Sequence, residues 1–166
     1  RYELFSANGR DYIFMGIAFS NKGPSEDEVN WINGVLRQYS SRDAIIITHS
    51  YLKKSASYTT QGKAISETLM KLAAEDERIY AITPAMTTGA HLTEFAKKYP
   101  KRFIDAGIAE EHALVLANAL ALSGMKPYVT IYSTFLQRGY DQVNHDIARM
   151  GGDVVVGIDR CGVIGE

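Results

Sequence analysis

From Thr59 onward, short apolar runs alternate regularly with longer amphipathic segments, and this alternation restricts the chain to few folds. The apolar runs are predicted as strands, at residues 79–82, 103–106, 127–132 and 154–158. The segments between them are predicted as helices, at residues 60–75, 91–99, 110–123 and about 135–149. Because parallel strands need helical crossovers, the pattern predicts an α/β fold, a three-layer sandwich with helices on both faces of a mostly parallel sheet.

Residues 1–52 are predicted as a short βαβ segment ahead of this sandwich. Its elements are a strand at 12–19, a helix at about 26–39 and a strand at 44–52. The helix prediction rests on Ser25 and Glu28, which have the spacing of a capping box, and on an apolar stripe that follows them. The small, polar residues 53–58 are predicted as a junction, and residues 59–166 as the second domain.

The carboxyl ends of the predicted parallel strands are the place to look for a binding site. In open α/β sheets, ligands bind in the crevice beyond these ends. The turns that fall there are residues 83–86, 107–112, 133–138 and 159–165. We therefore expect these four turns to form the rim of one site.

Glu110 stands in the first turn of a predicted helix, directly after a strand. Acidic residues are favoured at helix N-termini by the dipole, and the neighbouring Glu111 fits that explanation well. Glu110 also fits a functional one, because a carboxyl at this place can polarise or protonate a ring nitrogen at the rim. His112 is interpreted as a capping or packing residue rather than a catalytic one.

The turn after the third strand of the sandwich carries Phe135 and Arg138 within one helical turn. One reading is a core phenylalanine and a solvated arginine. The other is a flat ring that stacks on a heterocycle, with a guanidinium that grips a phosphate or carboxylate. Arg160 follows a neighbouring strand and could reach the same anion, while Tyr132 could add a hydroxyl. Met86, by composition alone, is an apolar residue in a loop.

Composition and motifs narrow the range of functions. With 18 basic and 19 acidic residues, the formal net charge of -1 gives no reason to expect nucleic acid or an anionic membrane as partner. No apolar run approaches the roughly 20 residues of a membrane span. Cys161 is the single cysteine, which favours a reducing compartment and so a cytoplasmic protein. The phosphate-binding GxGxxG and Walker loops and the metal-binding HExxH motif do not occur in the sequence.

The chain from about Tyr58 to Glu166 resembles the 1-deoxy-D-xylulose-5-phosphate synthase family in its pyrimidine-binding domain, which is of the thiamine diphosphate-binding transketolase type. The resemblance is carried by YTTQGKAISETLMKLAAEDERIYAITPAM, KYPKRFIDAGIAEEHA, GMKPYVTIYSTFLQRGYDQVNHDIA and VGIDRCGVIG, in this order. It implies a transferase that condenses pyruvate with glyceraldehyde 3-phosphate and releases CO2. The product serves non-mevalonate isoprenoid synthesis and thiamine precursor synthesis.

The resemblance also implies roles for individual residues. Glu110 would be the catalytic glutamate that hydrogen-bonds the aminopyrimidine ring of thiamine diphosphate and drives its imino tautomer. Phe135 would stack on that ring, and Met86 would line the cofactor pocket. The phosphate of glyceraldehyde 3-phosphate would be faced by Tyr132, Arg138 and Arg160.

Two features depart from the family pattern. Glu111 stands where the family usually has Gln. The domain that carries the family's diphosphate and magnesium motif does not occur in this sequence, so Mg²⁺ is expected only in an intact enzyme. The chain is accordingly interpreted as a fragment that is inactive alone, of an enzyme whose active unit is a homodimer.

Residues 1–52 resemble a piece of a calcineurin-like metallophosphoesterase, in which His49 would be one metal ligand. Since the other ligand motifs of that family do not occur here, His49 alone cannot hold a catalytic metal pair. An ordinary turn histidine after a buried strand explains it equally well. Two alternative functions therefore stay open: a phosphoesterase remnant, and a non-catalytic α/β module that binds a partner chain.

Overall fold

A computed structural model of the protein describes residues 2–7, 9–17, 25–48 and 60–160. Its helices and strands follow in the order β1 (Tyr2–Ala7), β2 (Arg10–Ile17), α1 (Glu26–Gln38), β3 (Asp43–Thr48), α2 (Thr60–Glu75), β4 (Ile79–Thr83), α3 (Thr93–Lys98), β5 (Phe103–Asp105), α4 (Glu110–Leu122), β6 (Lys126–Tyr132), α5 (Ser133–Leu136) and β7 (Val155–Asp159). From residue 60 onward, every predicted strand is present, and no end differs from the prediction by more than one residue.

The described strands form one sheet in the order β1-β2-β3-β7-β6-β4-β5. β1 and β2 are antiparallel, and every other neighbouring pair is parallel. The prediction of a mostly parallel sheet is therefore confirmed. The strands of the N-terminal segment belong to this same sheet, because β3 pairs with β7 through Ile47 and Ile158.

Successive side chains of the central strands point to opposite faces of the sheet, and each face has its own core. Ala81 and Ile131 pack on the face covered by α2 and α3, together with the fully buried Phe95. Ile82 and Val129 pack on the other face, under Ala113, Leu114 and Ala117 of α4. Helices thus cover both faces, which confirms the three-layer arrangement.

Helix α1 begins as its sequence predicts. The Ser25 hydroxyl accepts a hydrogen bond from the Glu28 backbone N–H at 3.1 Å, and Glu28 Oε2 accepts one from the Ser25 N–H at 2.7 Å. This reciprocal pair is a capping box. Val35 of α1 packs against Ile13 and Met15 of β2, which makes a third, smaller core.

The predicted strand at 12–19 corresponds to β2, and residues 18 and 19 lie outside the described residues. The strand β1 was not predicted, and it forms a hairpin with β2 over residues 2–17. Ala7 pairs with Arg10 at the turn end of the hairpin, and the sequence between them is Asn-Gly. Asn-Gly is a strong signal for such a turn, and Gly9 has the positive φ of 77° that it requires. The N-terminal segment is thus ββαβ rather than βαβ. The predicted junction at 53–58 lies outside the described residues.

The predicted single helix at about 135–149 is also wrong in detail. After α5 comes a 3₁₀ turn, Gln137–Gly139, and then a π-helix, Gln142–Arg149. The irregularity lies at Gly139, which is buried against α4. A Cβ atom there would meet Leu114 Cδ1 at 2.2 Å. This close approach fixes the chain against α4 before the π-helix places Val143 and Ile147 on the same core.

Candidate functional site

A cavity of about 340 Å³ lies beyond the carboxyl ends of β4, β5 and β6. Three of the predicted turns line it, with Pro84, Ala85, Met86, Ile108, Glu110, Thr134, Phe135, Gln137 and Arg138. The structure therefore brings four of the predicted site residues to one place, namely Met86, Glu110, Phe135 and Arg138. Of the fourth predicted turn, only residues 159 and 160 are described.

Glu110 is the first residue of α4, and it is 3% exposed. Its Oε2 accepts a hydrogen bond from Arg138 Nη1 at 3.3 Å. The next residue, Glu111, is exposed, as an acidic residue that only favours the helix dipole can be. An acidic residue that only stabilises the helix N-terminus can do so while exposed, so it does not need to be buried in a cavity beside a cation. Its burial therefore favours the functional reading of Glu110.

Phe135 and Met86 form the apolar part of the cavity wall. Met86 is 7% exposed and belongs to the core beside α2 and α3. Phe135 is 42% exposed, and its ring stacks on Tyr132 with centroids 5.7 Å apart and an angle of 28° between the planes. Phe135 thus keeps a large accessible ring surface at the cavity, while Tyr132 supports the ring from one side.

Tyr132 and Arg160 lie beside the cavity rather than in its lining. The Arg160 guanidinium carbon is 4.0 Å from the centre of the Tyr132 ring, a cation–π arrangement. The backbone carbonyl of Arg160 accepts a hydrogen bond from the Ser133 hydroxyl at 2.7 Å. Arg160 has a positive φ of 57°, which is uncommon for a residue with a side chain. The ends of β6 and β7 are thereby joined at the rim.

The Tyr132 hydroxyl is kept in its protonated form by its surroundings. Burial raises the pKa of Tyr132 most, the charge of Asp159 raises it further, and the charge of Arg160 lowers it. The net direction is upward from the ordinary value of 10.0. Tyr132 is therefore a hydrogen-bond donor at neutral pH.

Asp105, the last residue of β5, holds two of the turns that line the cavity, and sequence reasoning missed it. Its Oδ1 accepts hydrogen bonds from the backbone N–H groups of Ala85 at 2.9 Å and Gly107 at 3.0 Å, and its Oδ2 accepts one from the Thr87 hydroxyl at 2.8 Å. Burial acts to raise the pKa of Asp105, but these three hydrogen bonds outweigh it and lower the pKa. The only signal in the sequence is a carboxylate at a strand end, two residues before a glycine.

The predicted metal ligand, His49, lies outside the described residues, as does Cys161. Within the described ranges there is no group of three or more His, Cys, Asp or Glu side chains that could hold a metal ion. His112 is exposed on α4 and does not line the cavity. The described helices include none that is both long and apolar enough to cross a membrane.

The cavity has the size and the chemistry to take a flat nitrogen heterocycle. It offers one buried carboxylate, one accessible aromatic ring and an apolar wall, and its volume lies at the small end of ligand pockets. A ring nitrogen could hydrogen-bond Glu110 while the ring plane lies against Phe135. The cations beside it, Arg138 and Arg160, suit an anionic group attached to the ligand or to a second substrate.

Comparison with known proteins agrees with a site for a flat nitrogen heterocycle. A family profile described as "Transketolase, pyrimidine binding domain" matches residues 57–166. Among curated relatives, the 1-deoxy-D-xylulose-5-phosphate synthase of Listeria monocytogenes is 53% identical over 118 residues, which cover 71% of this chain and 19% of that protein. The enzyme of the same name from Bacillus cereus (strain G9842) is 58% identical over 101 residues, which cover 61% of this chain and 16% of that protein.

A longer match includes the N-terminal segment. The 1-deoxy-D-xylulose-5-phosphate synthase of Bacillus mycoides is 42% identical over an alignment of 176 positions, which covers 98% of this chain and 28% of that protein. The chain thus spans less than a third of the length of these relatives. Among solved structures, one titled "Split gene transketolase, inactive beta4 tetramer" has a TM-score of 0.52 and 24% identity, over 57% of this chain and 32% of that chain. This likeness confirms the predicted fold type.

Proposed function

The chain belongs to the transketolase pyrimidine-binding domain family, and on this basis we propose that it forms the pyrimidine-binding part of a 1-deoxy-D-xylulose-5-phosphate synthase. The proposed reaction is the thiamine diphosphate-dependent condensation of pyruvate with glyceraldehyde 3-phosphate, with release of CO2. Its product would enter non-mevalonate isoprenoid synthesis and thiamine precursor synthesis. The observation that carries the proposal is the cavity in which buried Glu110 lies beside the accessible ring of Phe135.

The residues of the cavity have distinct tasks in this proposal. Thiamine diphosphate supplies, when bound, a thiazolium carbon that can attack the carbonyl of a 2-oxo acid. The Glu110 carboxyl would hydrogen-bond a nitrogen of the pyrimidine ring, and its burial keeps water away from that hydrogen bond. Phe135 stacks on the pyrimidine, and Met86 closes the apolar side.

The phosphate of glyceraldehyde 3-phosphate is assigned to the cationic side of the rim. Arg138 and Arg160 would bind its oxygens, and the protonated Tyr132 hydroxyl would donate a further hydrogen bond. The Arg138 side chain is 58% exposed, so it has room to turn from Glu110 toward an anion. Mg²⁺ is proposed to accompany the diphosphate of the cofactor, with ligands supplied by the intact enzyme. We further propose that the intact enzyme is a cytoplasmic homodimer.

A second function, a non-catalytic module that binds a partner chain, is favoured by one surface feature. Val115 and Leu122, on α4, are 44% and 53% exposed. The two residues are seven positions apart, which places them on the same face of the helix, where a partner chain would cover both. A partner-binding role and a synthase role are compatible, since α4 carries both Glu110 and this surface.

The proposal is tested by titrating the 166-residue chain with thiamine diphosphate and Mg²⁺ and following backbone amide signals by NMR. We expect shifts at residues of the cavity, and a loss of affinity of about ten-fold or more in Glu110→Gln. The matched control is Glu111→Gln, which removes the same charge one residue away on the exposed side and should bind as the wild type does. If Glu110→Gln binds as well as the wild type, Glu110 is not the pyrimidine ligand.

Turnover requires a second experiment. The chain alone is expected to form no product from pyruvate and glyceraldehyde 3-phosphate. A chimera in which residues 57–166 replace the matching segment of the Listeria monocytogenes relative should be active, and its Glu110→Gln variant should not. An inactive but folded and cofactor-bound chimera would count against the synthase assignment.

A further inference from the structure

The Asp105 carboxylate is hydrogen-bonded to two of the turns that line the cavity. Asp105 accepts hydrogen bonds from Ala85 and Thr87 in the turn after β4, and from Gly107 in the turn before α4. The first of these turns also contains Met86, and the second leads directly into Glu110. Asp105 itself is not part of the cavity lining. It is placed to act on the ligand site only through the backbone of these two turns.

Each turn contains a residue with a positive φ, which is ordinary for glycine but uncommon for alanine. Ala85 has a φ of 56°, in the left-handed region that residues with a Cβ avoid, and Gly107 has a φ of 68°. A left-handed residue other than glycine persists only where its surroundings fix it. The Asp105 carboxylate binds the N–H of each of these two residues with the same oxygen, Oδ1. It therefore sets their separation.

We propose that Asp105 is the positioning residue of the pyrimidine site, and that it fixes the gap between the Met86 wall and the Glu110 carboxyl. This inference rests on the proposed function. The ligand class is an aminopyrimidine ring, which must meet the carboxyl and the apolar wall at the same time. A displacement of either turn by about 1 Å separates these two contacts, and misplacements of that size are known to cost orders of magnitude in function.

The conservative variant Asp105→Asn distinguishes the hydrogen-bonding role of this side chain from the effect of its negative charge. In Asp105→Asn, the amide oxygen can still accept from Ala85 and Gly107, and the amide nitrogen can donate to the Thr87 hydroxyl, which is able to accept. All three connections survive without the negative charge. In Asp105→Ala none survives, and in Thr87→Val only the hydroxyl connection is lost. The three variants therefore form a graded series.

A control variant at Asp76, near the amino ends of the strands, shows how much a general loss of stability weakens ligand binding. Asp76 lies before β4 and also binds several donors, from Arg78 and Lys126. Asp76→Ala removes a comparable set of hydrogen bonds far from the carboxyl ends of the strands. If Asp105 matters only for stability, Asp76→Ala will impair ligand binding to a similar degree.

The test is the NMR titration of the chain and its variants with thiamine diphosphate and Mg²⁺, together with hydrogen exchange of the Ala85 and Gly107 amides. We expect Asp105→Ala to bind about ten-fold or more weakly and to exchange both amides faster. Asp105→Asn and Asp76→Ala should stay within about three-fold of the wild-type affinity, a difference of less than 1 kcal/mol. The affinity of Thr87→Val should lie between those of Asp105→Asn and Asp105→Ala. This variant provides the test if Asp105→Ala does not fold.

The failures of the two proposals can be told apart. If the wild type binds the cofactor and Asp105→Ala binds equally well, the positioning role is refuted and the proposed function stands. Equal impairment in Asp105→Asn and Asp105→Ala would refute it as well, because charge rather than geometry would then be decisive. Where the chain alone does not bind, the same variants are titrated in the chimera that carries residues 57–166. If the chimera binds no cofactor either, the proposed function and the positioning role are refuted together.

Discussion

Arg138 and Glu110 form an ion pair with unequal exposure: Nη1 lies 3.3 Å from Oε2, yet the Glu110 side chain is 4% exposed and that of Arg138 is 58% exposed. The buried carboxylate thus has a partner that can move into solvent or toward a ligand. Removing the cation leaves Glu110 charged in a place with little water, whereas removing the carboxylate frees an arginine that water can solvate.

This asymmetry predicts non-additive effects on stability. Arg138→Met should destabilise the wild type more than it destabilises Glu110→Gln, with a coupling of about 1 kcal/mol, because only the wild type keeps a charge that needs the cation. Urea denaturation of the wild type, both single variants and the double variant measures this coupling. Strict additivity would show that the pair contributes nothing to the folded state.

Phe135 is predicted to matter for binding and little for stability. Phe135→Leu removes a ring that is 42% exposed, so the unfolding free energy should fall by about 1 kcal/mol or less, while thiamine diphosphate binding is lost. The matched control is Phe5→Leu, because Phe5 is also 42% exposed and also stacks on a tyrosine, Tyr12. Thermal unfolding and the NMR titration should give similar stability losses for both and a binding loss for Phe135→Leu alone.

Gly89 is predicted to be coupled to Tyr132 by close contact. A Cβ atom at Gly89 would lie 2.2 Å from the Tyr132 hydroxyl oxygen and 3.3 Å from the ring carbon that bears it. Gly89→Ala should therefore destabilise the chain by about 1–3 kcal/mol and displace the tyrosine. In the Tyr132→Phe background the same change should cost less, since the nearest atom is gone. Equal costs in both backgrounds, measured by urea denaturation, would contradict this contact.

Asp76 is predicted to make stability depend on pH in the acid range. Hydrogen bonds from Arg78, and next from Lys126, hold the pKa of Asp76 well below its usual range. Because the folded pKa lies below the unfolded value of about 3.9, the contribution is complete above that value and is lost as the pH falls below it. The difference in unfolding free energy between the wild type and Asp76→Asn should therefore be largest near pH 7 and shrink below about pH 4. A difference that stays constant down to about pH 2 would contradict the assignment.

The features that could be predicted from the sequence are those set by local pattern. The strands from Ile79 onward and the capping box of Ser25 follow from residue type and spacing over a few positions. The hairpin of residues 2–17 was missed although Asn8-Gly9 signals it, because the strand before that turn has no clear alternation of its own. Pairing with β2 decides its conformation.

The contacts that shape the site depend on residues far apart in the chain. Arg138 and Glu110 are 28 positions apart, and Asp105 and Ala85 are 20 apart. Neither pair can be read from spacing, since each exists only once parallel pairing brings the strand ends together. The carboxyl of Glu110 could be nominated from its place after a strand, but its arginine partner and the Asp105 connections could not.

Ala85 and Arg160 both have a left-handed backbone conformation at the carboxyl ends of the strands. Replacing such residues with glycine is a common way to raise thermal stability, and the two positions would respond to it differently. Glycine adopts their conformation without the steric cost of roughly 1–2 kcal/mol that a Cβ brings. At Ala85 the exchange sacrifices only a methyl group, whereas at Arg160 it removes a guanidinium that stacks on Tyr132. Engineering for heat resistance can therefore begin at Ala85. At Arg160 the same replacement would relieve the backbone but would remove a positive charge from the rim of the site.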